Sequence, residues 1–306
     1  MRDPAFAAPG QFWRGNIHTH STRSDGLLAP SEVCKKYRDA GYDFVALTDH
    51  FVGLYDYPIT DTGAYRGPDF TTLLGAELHS GAMENGEIWH ILAVGLPEDF
   101  APNEAPAWTP LEGQETGPQI AQRARDAGAF VAIAHPEWGG LSLADVRSLE
   151  AAHAVEVYNH TCALETDRGQ GFWHLDRLLD DGRRMMICAT DDAHFKFADA
   201  FGGWTMVKAE ENNPTALLDA LKAGHMYAST GPQIHDAVWQ RDRACVKCSP
   251  AVTITVHGQA SAIHTLHGEG LTDVEVPLAA LSESPWLRLT VIDRYGKRAW
   301  TNPFWK

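Results

Sequence analysis

Histidines and carboxylates in this chain sit where apolar runs stop. His18 and His20 close the run at 12–18, His50 closes FVALTD, Glu77 closes TTLLGA, His135 closes FVAIA, and Asp191, Asp192 and His194 close MMICAT. His90 differs, lying inside IWHILAVGL. His18-Thr19-His20 sets two imidazoles on one face of an extended segment, because side chains repeat every two residues there. With 15 histidines among 306 residues, roughly one such pair arises by chance, so the pair alone says little. The turn STRSDG brings Asp25 near it. Thr48-Asp49-His50 and Asp192-Ala193-His194 are equally weak alone; their joint placement at run ends is what points to chemistry. Mixed imidazole and carboxylate groups suit Zn, Mn or Fe(II) better than Ca or a thiolate-seeking metal. A carboxylate has two oxygens and can bridge two ions. Clustered ions acidify a bridging water, giving hydroxide near neutral pH, and offset charge on phosphoryl oxygens as it attacks.

Such groups act together only if separate elements deliver them to one place. Strand and helix signals alternate along most of the chain. Residues 12–18, 43–50, 70–79, 87–96, 129–136, 154–159, 183–194 and 202–209 read as strands. Residues 31–40, 118–127, 142–149 and 170–182 read as helices, the first with Ser31 as N-cap and Gly41 as stop. Asn213, Pro214 and Gly224 stand in the N-cap, first-turn and C-terminal order of another helix. The alternation predicts a mainly parallel sheet with helices around it, open or closed, and about seven strand signals by residue 207 favour an irregular TIM-type barrel. In such a barrel the downstream strand ends share one rim, where active sites gather. Beyond STGP (229–232) the pattern changes. AVTITVHG alternates, EVPLAAL is short, and 286–305 reads as a hairpin around Gly296. We therefore expect a barrel over 1–232 and a small antiparallel β unit over 233–306.

In this order, HTHSTRSDG, ALTDHF, GAELHS, HILAVGL, AIAHPEW and TDDAHF resemble the motif set of the PHP (polymerase and histidinol phosphatase) family of metallohydrolases. The match spans about residues 15 to 232. The segment GGWTMVKA…LLDALKAGHMYASTGP resembles the branch that includes carbaryl-hydrolase-like proteins and uncharacterised phosphoesterases. The resemblance implies an α/β fold, a distorted (β/α)7 TIM-like barrel, with up to three divalent metal ions at the C-terminal rim. It implies one ion held by His18, His20, Glu77 and Asp192, a second by Glu77, His90 and His135, and a third by Asp25, His50 and His194. The D-x-H spacing selects Asp192 over Asp191. The implied activity is a metal-dependent phosphoesterase, with Asp192 and His194 in its catalytic centre.

Composition is that of an ordinary globular chain, 44% hydrophobic and 21% charged, which argues against disorder. No run approaches the roughly 20 apolar residues of a membrane span. The N-terminal stretch lacks an apolar h-region, so no signal peptide is read. Five scattered cysteines fit a reducing cytoplasm. The net charge of −15, with no basic run, disfavours long nucleic acid as a partner. A small ester, preferably phosphorylated, remains suited because bound cations reverse the local field. Oligomeric state is not legible.

His160, after AVEVYN, is a candidate proton donor or substrate contact, and Arg23 and Arg168 are candidate phosphate contacts. His79 is a candidate partner orienting a ligand. The proline-rich, acidic segment 97–113 reads as a loop or lid. Phe51, Tyr55, Tyr57, Trp89 and Trp138 lie near the motifs and suggest an aromatic pocket. That pocket motivates the rival activity, carbamate or carboxylic-ester hydrolysis by the same hydroxide. A metal-stabilised module that binds without turnover is the third reading. Cys245-Val-Lys-Cys248 lacks a second pair at zinc-site spacing, and Trp286, Trp300, Phe304 and Trp305 read as core rather than a sugar platform.

Overall fold

Three apolar tetrapeptides, FVAL, ILAV and FVAI, form strands buried at every position. The computed structural model describes residues 1–306. The chain runs α1 (Pro4–Ala7), β1 (Gln11–Asn16), α2 (Pro30–Asp39), β2 (Phe44–Leu47), β3 (His50–Phe51), β4 (Thr71–Leu78), β5 (Ile91–Val94), α3 (Gly117–Asp126) and β6 (Phe130–Ile133). It continues through α4 (Leu143–Ser148), β7 (Ala154–Asn159), α5 (His160–Thr166), α6 (Phe172–Asp180), β8 (Met186–Thr190), β9 (Trp204–Ala209), α7 (Pro214–Ala223) and β10 (Met226–Ser229). Six further strands follow: β11 (Ile234–Trp239), β12 (Arg243–His257), β13 (Ile263–Pro277), β14 (Trp286–Ile292), β15 (Arg298–Thr301) and β16 (Phe304–Trp305). No helix is long and apolar enough to cross a membrane.

The strand order β9-β1-β2-β4-β5-β6-β7-β8 curls the sheet around the site without closing it. This corrects the expected TIM-like barrel in two respects. First, β5 runs antiparallel to both β4 and β6, and β9 antiparallel to β1, so the sheet is mixed. No helix crosses over between β4 and β5, which is what a parallel neighbour would need. Secondly, β8 and β9 lie side by side with no ladder between them. There the Thr205 hydroxyl donates to Ala189 O at 3.0 Å and accepts from Ala189 N at 3.3 Å. A side chain occupies the place of backbone pairing.

Local starts and stops follow capping chemistry. Thr116 and Ser142 form capping boxes with Gln119 and Asp145. Asn213 accepts from Ala216 N, Pro214 opens α7, and Gly224 ends it at φ +73°. The N-terminus of α2 differs from expectation. Pro30 takes the first helical position, so Ala29 rather than Ser31 is the N-cap, and the Glu32 carboxylate accepts from Ala29 N at 3.0 Å.

Residues beyond 232 form antiparallel strands that continue the same sheet through the β10–β15 ladder. The 286–305 hairpin turns at Gly296, at φ +77°. EVPLAAL divides between the end of a long β13 and a 3-10 turn at Ala279–Leu281. Trp286 and Trp300 are buried in one apolar cluster with Leu175, Leu178 and Leu179 of α6. Arg288 pairs with Asp176 of α6 through bonds of 2.9 and 2.8 Å.

Candidate metal centre

The rim is built by strand ends, with one inversion that explains His90. His18 and His20 leave β1, His50 opens β3, Glu77 lies one residue before the end of β4, and His135 follows β6. Asp192 and His194 follow β8. His90 lies just ahead of β5, not inside a strand as the sequence suggested. Because β5 is antiparallel to its neighbours, its N-terminal end reaches the rim where theirs finish. Two backbone bonds of 2.9 Å, Asp192 N to His18 O and His20 N to Ala193 O, lace the segments leaving β1 and β8.

Glu77 is the hub. Its Oε1 lies 2.8 Å from His90 Nδ1 and 3.0 Å from His135 Nε2. Its Oε2 lies 2.7 Å from His50 Nδ1 and 3.6 Å from the Nε2 atoms of both His18 and His20. Asp192 Oδ1 is 2.9 Å from His20 Nε2 and 3.2 Å from His18 Nε2. Asp25 Oδ1 is 3.3 Å from His50 Nε2 and 3.2 Å from His194 Nε2. The close sets of ligand atoms are His20/Asp25/His50/His194, His18/Glu77/His135, His18/His20/Asp192 and His50/Glu77/His79. They differ from the grouping implied by the resemblance: His20 joins Asp25, His50 and His194, His18 stands with Glu77 and His135, and Glu77 is outside the His18/His20/Asp192 set. His90 reaches only the Glu77 carboxylate, and His79 joins His50 and Glu77.

Buried polar atoms normally find partners. Here His18 Nε2, His20 Nδ1, Asp25 Oδ1, Glu77 Oε2 and His135 Nδ1 have none of hydrogen-bonding geometry, the short Glu77–His50 contact included. These lone pairs and the mixed N/O donor set fit divalent cations. Among the candidate ligands, His135 at φ +22° and Asp192 at φ +56° also hold strained backbone.

The surrounding polar groups fix the imidazoles. Glu156, an isolated acid inside the apolar AVEVYN, was not singled out from sequence. It accepts from His18 Nδ1 (2.9 Å), Thr190 Oγ1 (2.5 Å), His135 N (2.6 Å) and Asn159 Nδ2 (3.0 Å). It therefore turns His18 Nε2 toward the cluster. Asn159 Nδ2 also donates to Asp192 Oδ2 at 3.0 Å. His79 Nδ1 donates to Trp89 O at 2.9 Å, leaving its Nε2 to accept from His50 Nδ1 at 2.9 Å. That relay directs His50 Nε2 at Asp25. Asp49 accepts from Ser21 N and from the Ser21 and Ser24 hydroxyls, bracing the turn that carries Asp25.

Charges in the cluster compensate one another. Burial opposes ionisation of Glu77, yet His90, His50 and His18 hold it well below the usual carboxylate range. Burial likewise opposes charge on His50, but Glu77 and Asp25 raise it to about 9. Burial and the neighbouring His50 and His194 lower His20 to about 3.

The cleft over this cluster measures ≈ 370 Å³. Its walls include Trp108, Trp138, Phe197, Glu87, Glu165, Thr161 and Lys196. Lys196, absent from the sequence candidates, places Nζ 2.8 Å from Asp25 Oδ2. His160, Arg23 and Arg168 do not line it. The His160 ring packs against Gly202 and bonds the Tyr158 hydroxyl at 2.9 Å, while Arg23 and Arg168 are exposed elsewhere. Of the expected aromatic residues only Trp138 lines the cleft. Phe51 and Trp89 are core, Tyr57 packs on that core, and Tyr55 lies 6.1 Å from Trp108, ring to ring. Segment 97–113 forms no helix or strand and supplies Trp108. It is tied down by Asn103 Nδ2 to His79 O at 2.5 Å and Gly53 N to Ala105 O at 2.8 Å.

No family model matches the chain. A curated relative, an uncharacterised protein from Methanocaldococcus jannaschii, is 22% identical over 210 residues, covering 67% of this chain and 84% of that protein. A crystal structure from Bacteroides vulgatus, of a two-domain protein containing a predicted PHP-like metal-dependent phosphoesterase, aligns at TM-score 0.53 and 16% identity. That alignment covers 94% of this chain and 93% of the other, so the two share an overall fold. A candidate metal-dependent phosphoesterase from Bifidobacterium adolescentis aligns at TM-score 0.41 and 17% identity, over 59% of this chain and 87% of that one. An amidohydrolase from Chromobacterium violaceum aligns at TM-score 0.44 and 16% identity over the same shares, 59% and 87%.

Proposed function

We propose that this chain is a PHP-type metal-dependent hydrolase acting on a phosphate ester of a small molecule. The supporting observation is the convergence of imidazoles from residues 18 to 135 on the two oxygens of Glu77, with Asp192 and Asp25 against the same imidazoles and buried atoms left unpaired. Bound divalent ions supply a water acidic enough to attack near neutral pH and offset charge on the phosphoryl oxygens. Divalent ions would be held by Glu77 together with His18, His20 and Asp192, and by Asp25, His50 and His194. Glu156 keeps His18 in the tautomer whose Nε2 faces the cluster. Lys196 is the one lysine or arginine lining the cleft, with ammonium hydrogens to spare beyond Asp25 for a phosphoryl oxygen. The −15 net charge supports a small substrate over long nucleic acid.

Protein stripped of metal and reloaded separately with Mn, Zn or Fe(II) is expected to hydrolyse p-nitrophenyl phosphate or bis-p-nitrophenyl phosphate. Ion content is measured on the same samples. Protein that demonstrably holds ions yet turns over no phosphate ester overturns the reading. Trp108, Trp138 and Phe197 in a cleft without arginine favour one rival, hydrolysis of a carbamate or carboxylic ester. Turnover of 1-naphthyl acetate or an aryl carbamate, with none of phosphates, decides for it.

A further inference from the structure

We infer that the substrate's leaving group carries an alkylammonium cation, seated between the aromatic and acidic walls of the cleft. This rests on the hydrolase reading and specifies its substrate. Trp108, Trp138 and Phe197 are 38%, 39% and 41% exposed, and all line the one cleft. Large apolar side chains held together at a surface mark a binding site. The indoles are held in place. Trp108 meets the His50 ring at 4.8 Å, and Trp138 meets the His135 ring at 4.8 Å.

Charge supplies the second half of the argument. Glu87 and Glu165 line the same cleft, and neither carboxylate has a hydrogen-bond or ion-pair partner within the chain. Lys196 is paired with Asp25 among the candidate ligands and belongs to the phosphoryl end. Glu77, fully buried with Oε2 unpaired, marks the reacting end at the cleft floor. Cations held there would take the phosphoryl group, leaving the rest of the substrate to the indoles and free carboxylates. A second anionic group would be repelled. A hydrocarbon-clothed cation is attracted by both, through ring quadrupoles and through the acids.

The test uses a pair of esters matched in shape: phosphocholine, and 3,3-dimethylbutyl phosphate, in which carbon replaces the charged nitrogen. Metal-loaded protein is expected to favour phosphocholine at least about tenfold in kcat/KM, the scale of one strong cation–π contact. In the exposed double variant Glu87→Gln/Glu165→Gln that ratio falls toward one. Calorimetry with choline and 3,3-dimethylbutanol reads the same preference without turnover. Equal hydrolysis of the two esters, or choline binding no tighter than the neutral alcohol, overturns this inference and leaves the phosphoesterase reading standing. Preferential choline binding by a protein that hydrolyses no phosphate ester does the reverse.

Discussion

The rim and the C-terminal sheet both bury charged side chains, but they satisfy them differently. At the rim, His18, His20, Glu77, His79 and Glu156 are almost wholly excluded from solvent, and several of their atoms lack partners. In β12 and β14 the buried side chains include Ile254, Val256, Leu289 and Val291, and the buried Arg288 is closed by a two-bond pair with Asp176. The sheet leaves only scattered donors unpaired, Trp286 Nε1 and Thr290 Oγ1 on β14 and Arg243 Nε on β12, whereas the rim's unpaired atoms crowd around one carboxylate. A polar site left open in an interior is costly unless something binds there. The contrast therefore separates residues kept for a ligand from residues kept for folding.

The largest expected effect tests that separation directly. Glu77→Gln removes the charge of the hub and should lower bound metal and cut turnover on the order of a thousandfold, since such ions supply several kcal/mol of charge stabilisation. Trp286→Ala should do the opposite. It removes a fully buried ring and should cost roughly 3–5 kcal/mol of stability, while the remaining folded protein keeps its metal content. Calorimetric melting and elemental analysis on both variants check the pair. Equal metal loss in both would erase the distinction between the regions.

Glu156→Gln should be next in size. The amide keeps the shape but weakens the acceptor for His18 Nδ1, so metal affinity should fall about 10–100-fold with folding retained. Competition with a chelator of known strength measures it.

Much of the rim was legible because its residues follow a simple placement rule at strand ends. Glu156 escaped that rule because it lies within β7, where an acid in an apolar run has no spacing signature. His90 was expected inside a strand but lies just ahead of β5, since apolar continuity carries no strand direction. The open seam between β8 and β9 was also hidden, because it depends on one Thr205 hydroxyl reaching Ala189. In the C-terminal sheet the hairpin around Gly296 was readable. The length of β13 was not, as its mostly exposed side chains lack a clear apolar alternation.

The two regions should also respond oppositely to pH. Burial, then Arg288, lowers His257 on β12 to about 3. The unfolded chain, with an ordinary value near ~6.5, takes the proton first as pH falls. Stability from this site is full above ~6.5 and is lost on descending toward 3. His50, raised to about 9 by its acids against the effect of burial, contributes to the metal-free protein fully below ~6.5. That contribution disappears as pH rises through 9. Melting of metal-free protein should therefore weaken on both flanks. His257→Gln should relieve only the acid flank, and added divalent metal, which needs neutral His50, should relieve the alkaline one. An acid flank unchanged in His257→Gln would remove His257 from the account.

The smallest effect is expected at His160, the sequence candidate for proton donor. Burial and the nearby Lys297 lower it to about 4, so at pH 7 the ring is neutral and has no acidic proton to give. Its Nδ1 is engaged by the Tyr158 hydroxyl, and Gly202 lies directly against the ring. That contact leaves no room even for a methyl group at 202. His160→Gln should accordingly change kcat/KM by less than about twofold and leave the alkaline limb of the pH–rate profile in place, the limb a general acid would set. A loss of a hundredfold with metal content and melting temperature intact would show that the ring leaves its Tyr158 contact during turnover, and the boundary drawn between the metal-lined rim and its supporting shell would have to move to include it.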